Sequence, residues 1–371
     1  MENIAQEQAI QFLTSLLKFY SPSGKEQEVS VFIADEMRKF GFKVDIDGVG
    51  NVLGKAGHGK PVILLCGHID TVPGYIPVKK VNGKLYGRGA VDAKSPLAAM
   101  ILAATSVLKT MSSGKILVAC VVEEEKTGKG IRHLIESGLT ADYAIFGEPS
   151  DTGNIIIGYK GMLKVRVTCR TAGGHSAAPW LFENAIETTF DLWKTLKETL
   201  SQHDSSKGRF YSVTSCLTYL RGGSFASNVP SKCEALIDVR VPPQLTCIQI
   251  YDEINRGIMQ YQSAKLGVKF KTELVDSVEP FEADKNSQLV RIFTHAIRKI
   301  VGKTPVLLRK TGTSDMNLLG RALKIPVVAY GPGDSSLDHA PNEHVSIQEY
   351  LTSIQVIREV LIRLLGQSSS I

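Results

Sequence analysis

The sequence predicts an α/β protein: a catalytic domain with a mixed, mainly parallel sheet flanked by helices, plus an inserted α+β domain. Three observations carry this expectation. Apolar runs of strand length alternate with helical patterns at both ends of the chain, as in a sheet covered by helices. Between residues 162 and 278 the pattern changes to in–out alternation, the mark of antiparallel strands with one wet face. The length, 371 residues, exceeds a single typical core. The expected division is therefore 1–161 with 279–371 for the catalytic domain and 162–278 for the insert.

Taken in order, residues 4–20 place Ile10, Leu13, Leu16, Leu17 and Tyr20 at helical spacing, and Ser21-Pro22-Ser23-Gly24 breaks that helix. Glu26 to Phe40 repeats the pattern and Gly41 closes it. Val44 to Ile46 and Asn51 to Gly54 are short strands, and Pro61 to Cys66 is a buried one. Ser95 to Thr110 is an Ala-rich helix suited to lie tightly on a sheet; Lys115 to Val122 is a strand, Ile131 to Ser137 a helix and Tyr143 to Phe146 a strand. In the insert, Leu163 to Cys169, Tyr211 to Leu220 and Ala235 to Val241 alternate as strands, and Val268 to Glu273 is a further strand. Its helices span Asn184 to Leu200 and Ile248 to Gln262. The first pattern then returns: a helix from Ser287 to Val301, another from Ser314, a strand from Pro326 to Tyr330, and a last helix from Ile347 to Leu365. Gly366 to Ile371 is a mostly polar tail, expected to be disordered.

Composition excludes several classes. The net charge of +6 is spread along the chain without a run of five basic residues, which argues against nucleic-acid binding. An acidic partner is compatible with it. Six scattered cysteines without a C-x-x-C pair describe small core residues in a reducing compartment. No stretch has the layout of a signal peptide, and no apolar run reaches the roughly 18 residues that span a bilayer. The expectation is a cytoplasmic protein that does not engage membranes.

The chemistry-bearing residues stand at strand ends. His68 and Asp70 end one apolar strand, Glu124 and Glu125 another and Glu148 a third, while Asp92 lies in the loop after the first. Each alone has an ordinary reading as a solvated loop residue. In a parallel sheet, however, strand C-termini share one edge, where open α/β sheets bind ligands. Carboxylates brought together there repel one another, and burial worsens the cost. A divalent cation relieves both, and mixed imidazole and carboxylate donors suit zinc, with cobalt or manganese as substitutes.

In order along the chain, the motifs are GHIDTVP (67–73), GRGAVDAK (87–94), EEE (123–125), GEPS (147–150), GGHSAAP (173–179), NVP (228–230), DVR (238–240), GTSD (312–315) and DHAPNE (338–343). This series resembles the di-zinc metallohydrolases that include acetylornithine deacetylase, succinyl-diaminopimelate desuccinylase, glutamate-releasing carboxypeptidases and aminoacylases. The resemblance implies amide hydrolysis with two divalent ions, Zn2+ by default and Co2+ as an alternative. By resemblance, His68, Asp92 and Glu148 would hold one metal and Asp92, Glu125 and His339 the other, with Asp70 orienting His68 and Glu124 as general base. The family's usual Asp-Glu-Glu is Glu123-Glu124-Glu125 here, so a register shifted by one residue stays open. His344 is the alternative to His339 as a ligand.

The insert would be the family's lid and dimerisation domain, giving a homodimer. His175 would reach the partner subunit's site as an oxyanion donor, assisted by Asn228. Arg240 would grip a substrate carboxylate, and the backbone of Gly312, Thr313 and Ser314 a second one. Within the family, the wording of LCGHIDTVPG, GRGAVDAK, IIIGYKG and GTSDMN is most similar to the LysW-lysine and LysW-ornithine hydrolases. These release lysine or ornithine from the C-terminal glutamate of the small acidic carrier protein LysW in lysine and arginine biosynthesis. The alternatives are a deacetylase, a desuccinylase or a general aminoacylase. A non-catalytic homologue acting as a binding module is disfavoured because every ligand and the base are present.

Overall fold

The protein is described by a computed structural model covering residues 3–224 and 226–366. The tail beyond Gly366, expected to be disordered, lies outside the described residues. The chain divides into two compact units: residues 1–157, 283–308 and 314–371 form the first, and 158–282 with 309–313 the second. The second unit thus takes in a short return segment that the sequence reading left with the catalytic domain.

The first unit opens with α1 (Asn3–Lys18) and α2 (Gln27–Lys39), then β1 (Lys43–Ile46), β2 (Val52–His58) and β3 (Val62–His68). Leu13, Leu16 and Leu17 of α1 and Val29, Ile33 and Met37 of α2 are buried, as the 3.6-residue spacing requires. After β4 (Lys79–Val81) and β5 (Lys84–Tyr86) come α3 (Lys94–Leu108), β6 (Gly114–Val121), α4 (Lys129–Glu136) and β7 (Tyr143–Phe146). Strand β8 (Asn154–Tyr159) then carries the chain into the second unit.

The second unit contains β9 (Gly161–Arg170), β10 (Gly174–His175), α5 (Ala185–Ser201), β11 (Thr214–Gly222), β12 (Asn228–Val229), β13 (Lys232–Val241), α6 (Cys247–Ser263), β14 (Lys269–Val278) and β15 (Phe281–Glu282). Its antiparallel sheet runs β11-β13-β9-β14. One face packs on α5 and α6 through Leu163, Val165, Leu192, Leu196, Ile250 and Ile254. The chain returns to the first unit with α7 (Gln288–Val301), β16 (Val306–Lys310), α8 (Asp315–Leu323), β17 (Val327–Ala329), β18 (His344–Ser346) and α9 (Ile347–Leu364).

In the first unit the main sheet runs β1-β2-β6-β3-β7-β17-β8. Its centre is parallel, with β3 between β6 and β7 and β17 beside β7; the flanking pairs are antiparallel. The four parallel strands therefore end on one edge. Helix α3 lies close to this sheet because Gly67 and Gly147 leave room for it. A Cβ at Gly67 would stand 3.1 Å from Met100 Cε, and one at Gly147 2.5 Å from the same atom.

Strands β4, β5, β8, β16 and β18 were not expected from the sequence. Three of them have only three residues each and form a small sheet, β18-β5-β4, too short to show a period. Strand β8 is a short apolar run, which periodicity alone does not distinguish from buried helix.

One close approach is testable. A Cβ on Gly130 would lie 2.4 Å from Asn51 Oδ1 and 2.6 Å from the Val122 nitrogen. The Asn51 side chain itself accepts from the Val122 amide and donates to the Gly130 carbonyl. Gly130→Ala should therefore destabilise the protein by about 2–4 kcal/mol, read as a lower melting temperature. An unchanged melting temperature would show that the segment yields freely.

Candidate metal centre

The ladder registers explain why distant residues meet. His68 is the last residue of β3 and pairs with Val121, three residues before Glu124. Cys66 pairs with Phe146, two residues before Glu148. One sheet edge thus receives all three segments. Asp92 arrives from the loop between β5 and α3. The ligand atoms of His68, Asp92 and Glu148 lie within 4.8 Å of one another, as do those of Asp92, Glu125 and His339. Asp92 is common to both groups. Its Oδ1 is 3.0 Å from His68 Nε2 and its Oδ2 3.2 Å from His339 Nε2. His339 Nε2 also lies 3.0 Å from Glu125 Oε1. His344 belongs to neither group: its Nδ1 lies 2.8 Å from the Asn342 carbonyl and its ring is tilted against Tyr86.

Two nitrogen–carboxylate sets sharing one carboxylate fit a pair of divalent ions by donor chemistry. Proton affinities show the charge such ions would balance. Burial disfavours the His68 imidazolium, but hydrogen bonds to Asp70 and Asp92 win and hold it well above its usual value. Hydrogen bonds to Asp92 and then Glu125 push His339 up to about 10. For Asp92, burial is outweighed by hydrogen bonds from His339 and His68, so its pKa is depressed. Burial raises Glu124 well above the carboxylate range; the charge of His68 opposes this, and Asp315, Glu148 and Glu125 add to it.

Asp70 supports His68 in an unexpected way. His68 Nδ1 lies 2.9 Å from the main-chain oxygen of Asp70 and 3.5 Å from its Oδ1. The carboxylate is instead occupied by backbone amides, accepting from Glu124 at Oδ1 and from Glu125 at Oδ2, 3.1 Å each. The Asp92 loop is held in the same manner by Glu343, the last residue of DHAPNE. Glu343 is fully buried and accepts from the amides of Val91 and Asp92 at Oε1. Its Oε2 accepts from the Gly89 amide and from Arg88 Nη1.

Sequence reasoning quoted the motif but missed Glu343; its signal was a charged residue closing a segment otherwise accounted for. Asp315 of GTSD was missed as well. It opens α8, is buried, and has an Oδ2 without a hydrogen-bond partner. Burial, more than the neighbouring charges, pushes its carboxyl up to about 8.

The remaining candidates belong mostly to the second unit. His175 is exposed, and its Nδ1 accepts from the Ala177 amide. It pairs with Asn228 across the β10–β12 ladder. Arg240 is already engaged: its Nε and Nη2 donate to the two carboxylate oxygens of Asp238 at 2.8 and 3.2 Å. Gly312 and Thr313 fall in the second unit's return segment. Ser314 lies in the first and caps α8, its amide donating to Asn317 Oδ1 and its hydroxyl accepting from the Met316 amide. Its backbone donor is therefore spent inside the capping box, leaving Gly312 and Thr313 as the candidate donors there.

This fold and donor arrangement define a metal-dependent hydrolase. The chain belongs to peptidase family M20/M25/M40, whose pattern matches residues 64–363. A protein of Sulfurisphaera tokodaii named [LysW]-lysine/[LysW]-ornithine hydrolase is 34% identical over 369 residues, 98% of each chain. The [LysW]-lysine hydrolase of Deinococcus radiodurans is 33% identical, covering 93% of this chain and 94% of its own. A Pyrococcus abyssi relative, provisionally given the first of these names, is 37% identical over 98% of this chain and 96% of its own. Among solved structures, an M20 metallo-carboxypeptidase of Sulfolobus solfataricus superposes with a TM-score of 0.80 at 20% identity, covering 97% of this chain and 99% of that one. A dinuclear metal-binding M20 peptidase of Bacillus subtilis gives 0.77 at 15% identity, covering 99% and 100%. These two likenesses carry the fold.

The proton affinities predict how metal uptake depends on pH. With both imidazole pKa values raised, each ring carries a proton in neutral solution when no metal is bound. Each metal ion must displace one of those protons, so loading both ligand groups should release about two and tighten as pH rises toward 10. Calorimetry at pH 7 in buffers of different ionisation enthalpy measures the release. Heats that do not vary with the buffer would contradict it.

Proposed function

We propose that the protein hydrolyses an amide bond and releases lysine, ornithine or both from the C-terminal glutamate of an acidic carrier of the LysW kind, in lysine and arginine biosynthesis. The observation that carries the substrate is the naming of relatives similar over nearly the whole chain. The observation that carries the reaction is the pair of ligand groups sharing Asp92, with Glu124 close enough to feel the charges of His68, Glu148 and Glu125. A net charge of +6 suits an acidic protein substrate through electrostatic steering.

In this reading His68, Asp92 and Glu148 hold one divalent ion and Asp92, Glu125 and His339 a second, zinc by donor set with cobalt as a substitute. Such a pair supplies Lewis acidity toward the scissile carbonyl and makes a water acidic enough to attack near neutral pH. Glu124 takes the water's proton and then gives it to the departing amine, breaking the C–N bond and leaving the carrier's carboxylate. The Ala177 amide donating to His175 Nδ1 leaves Nε2 as the protonated nitrogen, a donor suited to a developing oxyanion. By resemblance His175 acts in the partner's site, the second unit is the lid and dimerisation domain, and Asn228 assists. Arg240 would serve a substrate carboxylate with the donor edge that Asp238 leaves open, and the backbone of Gly312 and Thr313 a second carboxylate.

A cytoplasmic location is part of the proposal. None of the six cysteines is joined in a disulfide among the described residues. Among the described residues, no helix is long and apolar enough to cross a membrane.

Substrate choice is tested by offering the metal-loaded enzyme carrier-linked lysine, acetylornithine and succinyl-diaminopimelate side by side. The carrier conjugate should turn over fastest; a higher kcat/KM for either small substrate would sink the carrier assignment. Glu124 and His175 are tested together with Glu124→Gln and His175→Ala chains. Each homodimer should lose about 100-fold or more in kcat, while mixed dimers should regain activity at one of their two sites. Mixed dimers as inactive as either parent would contradict action across the interface, and an active Glu124→Gln homodimer would contradict the base.

A further inference from the structure

We propose that Ser23 and Glu26, in the turn between α1 and α2, are positioning residues that lock the backbone carrying Glu124 in its working place. The inference rests on Glu124 being the base. Three consecutive amides carry it. The Glu123 amide donates to Glu26 Oε1 at 3.2 Å, the Glu124 amide to Asp70 Oδ1 at 3.1 Å and the Glu125 amide to Asp70 Oδ2 at 3.1 Å. Two carboxylates thus receive every backbone donor of the segment that presents the base and one candidate ligand. Glu123 has φ 55°, a left-handed conformation that turns the chain tightly here. Its carbonyl accepts from Thr127 and Gly128 on the far side. A turn of this kind stays in place only if its surroundings hold it.

The N-terminal turn supplies that hold. Ser23 Oγ donates to Asp70 Oδ2 at 2.6 Å, orienting the carboxylate that receives the Glu124 and Glu125 amides. The turn is fastened to the end of β3 by Ser21 Oγ donating to the Ile69 carbonyl and by the Thr71 amide donating to the Ser21 carbonyl. Glu26 is the informative residue. It stands at the N-cap position of α2, where short oxygen-bearing side chains accept from the helix. It makes no such cap. It is only 6% exposed, and Oε1 is shared between the Gly24 amide and the Glu123 amide 97 residues away. A residue placed to serve its helix instead serves the base segment. Ser23 acts through the Asp70 carboxylate and Glu26 through the Glu123 backbone amide. Sequence reading saw Ser21-Pro22-Ser23-Gly24 only as a helix breaker.

The experiment compares Glu26→Ala, Glu26→Gln and Ser23→Ala in the metal-loaded enzyme, with Glu124→Gln as control. The assay uses carrier-linked lysine, or acetylornithine if that turns over faster. Metal content and hydrogen exchange of the 121–128 segment are read alongside. Glu26→Ala should lower kcat about 10-fold with KM within about twofold, keep both metal ions, and speed exchange at Glu123. Glu26→Gln retains an acceptor oxygen and should recover most of the loss. Ser23→Ala should lower kcat about threefold, again without loss of metal. Unchanged kcat and exchange in Glu26→Ala, or a kcat loss that merely tracks lost metal, would overturn the proposal. If Glu124→Gln is inactive while Glu26→Ala is unimpaired, the positioning role alone fails. If Glu124→Gln keeps wild-type turnover, the base assignment fails and the positioning role with it, whatever Glu26→Ala does.

Discussion

Buried carboxylates that collect backbone amides hold the candidate centre together. Asp70 and Glu343 are both fully buried, and each accepts from amides of a segment that bears candidate ligands. Hydrogen bonds to an ionised acceptor are roughly twice as strong as neutral ones, and leaving such an acceptor unpaired in the interior is costly. The loops carrying Asp92, Glu124 and Glu125 are therefore tied to structure that cannot relax without exposing a buried charge. This fastening allows irregular segments to present side chains to a few tenths of an ångström, which a metal centre requires.

The presented groups are mutually frustrated. Asp92, Glu124, Glu125 and Glu148 meet where the parallel strands end, and burial pushes the proton affinity of Asp92, Glu124 and Glu125 upward. The chain's own partial remedy is two imidazoles whose proton affinity is raised by these neighbours. That remedy leaves Glu124 well above the carboxylate range. A site that stores this imbalance binds cations by relieving it. Stability and chemistry are set by the same electrostatic conflict.

The second unit is built on different principles. Its sheet has one face on α5 and α6, giving the alternation visible in LKVRVTC. The candidates it carries are held loosely by comparison: His175 and Asn228 are exposed, and Arg240 shares its fork with Asp238. Such residues gain a role from what they meet, whereas the buried groups of the first unit have theirs from the packing around them.

Sequence by itself determined the layered α/β class, the insertion of an alternating segment, and the strand-end positions of His68, Glu124, Glu125 and Glu148. These follow from periodicity and from the rule that parallel strands share an edge, both local or nearly so. It also placed Asp92 in the loop after the first of these strands, but its pairing with His339 came only through motif resemblance, because no local pattern relates a loop at 92 to a loop at 339. Tertiary structure alone decided that His344 lies in neither ligand group and that Ser314 spends its amide on a helix cap. It alone revealed Glu26, Glu343 and Asp315. For Asp315 the reason is burial, which only packing creates; for Glu26 and Glu343 it is that a hydrogen bond between residues about a hundred or more positions apart leaves no periodic trace. Its existence depends on which loops the sheet brings face to face.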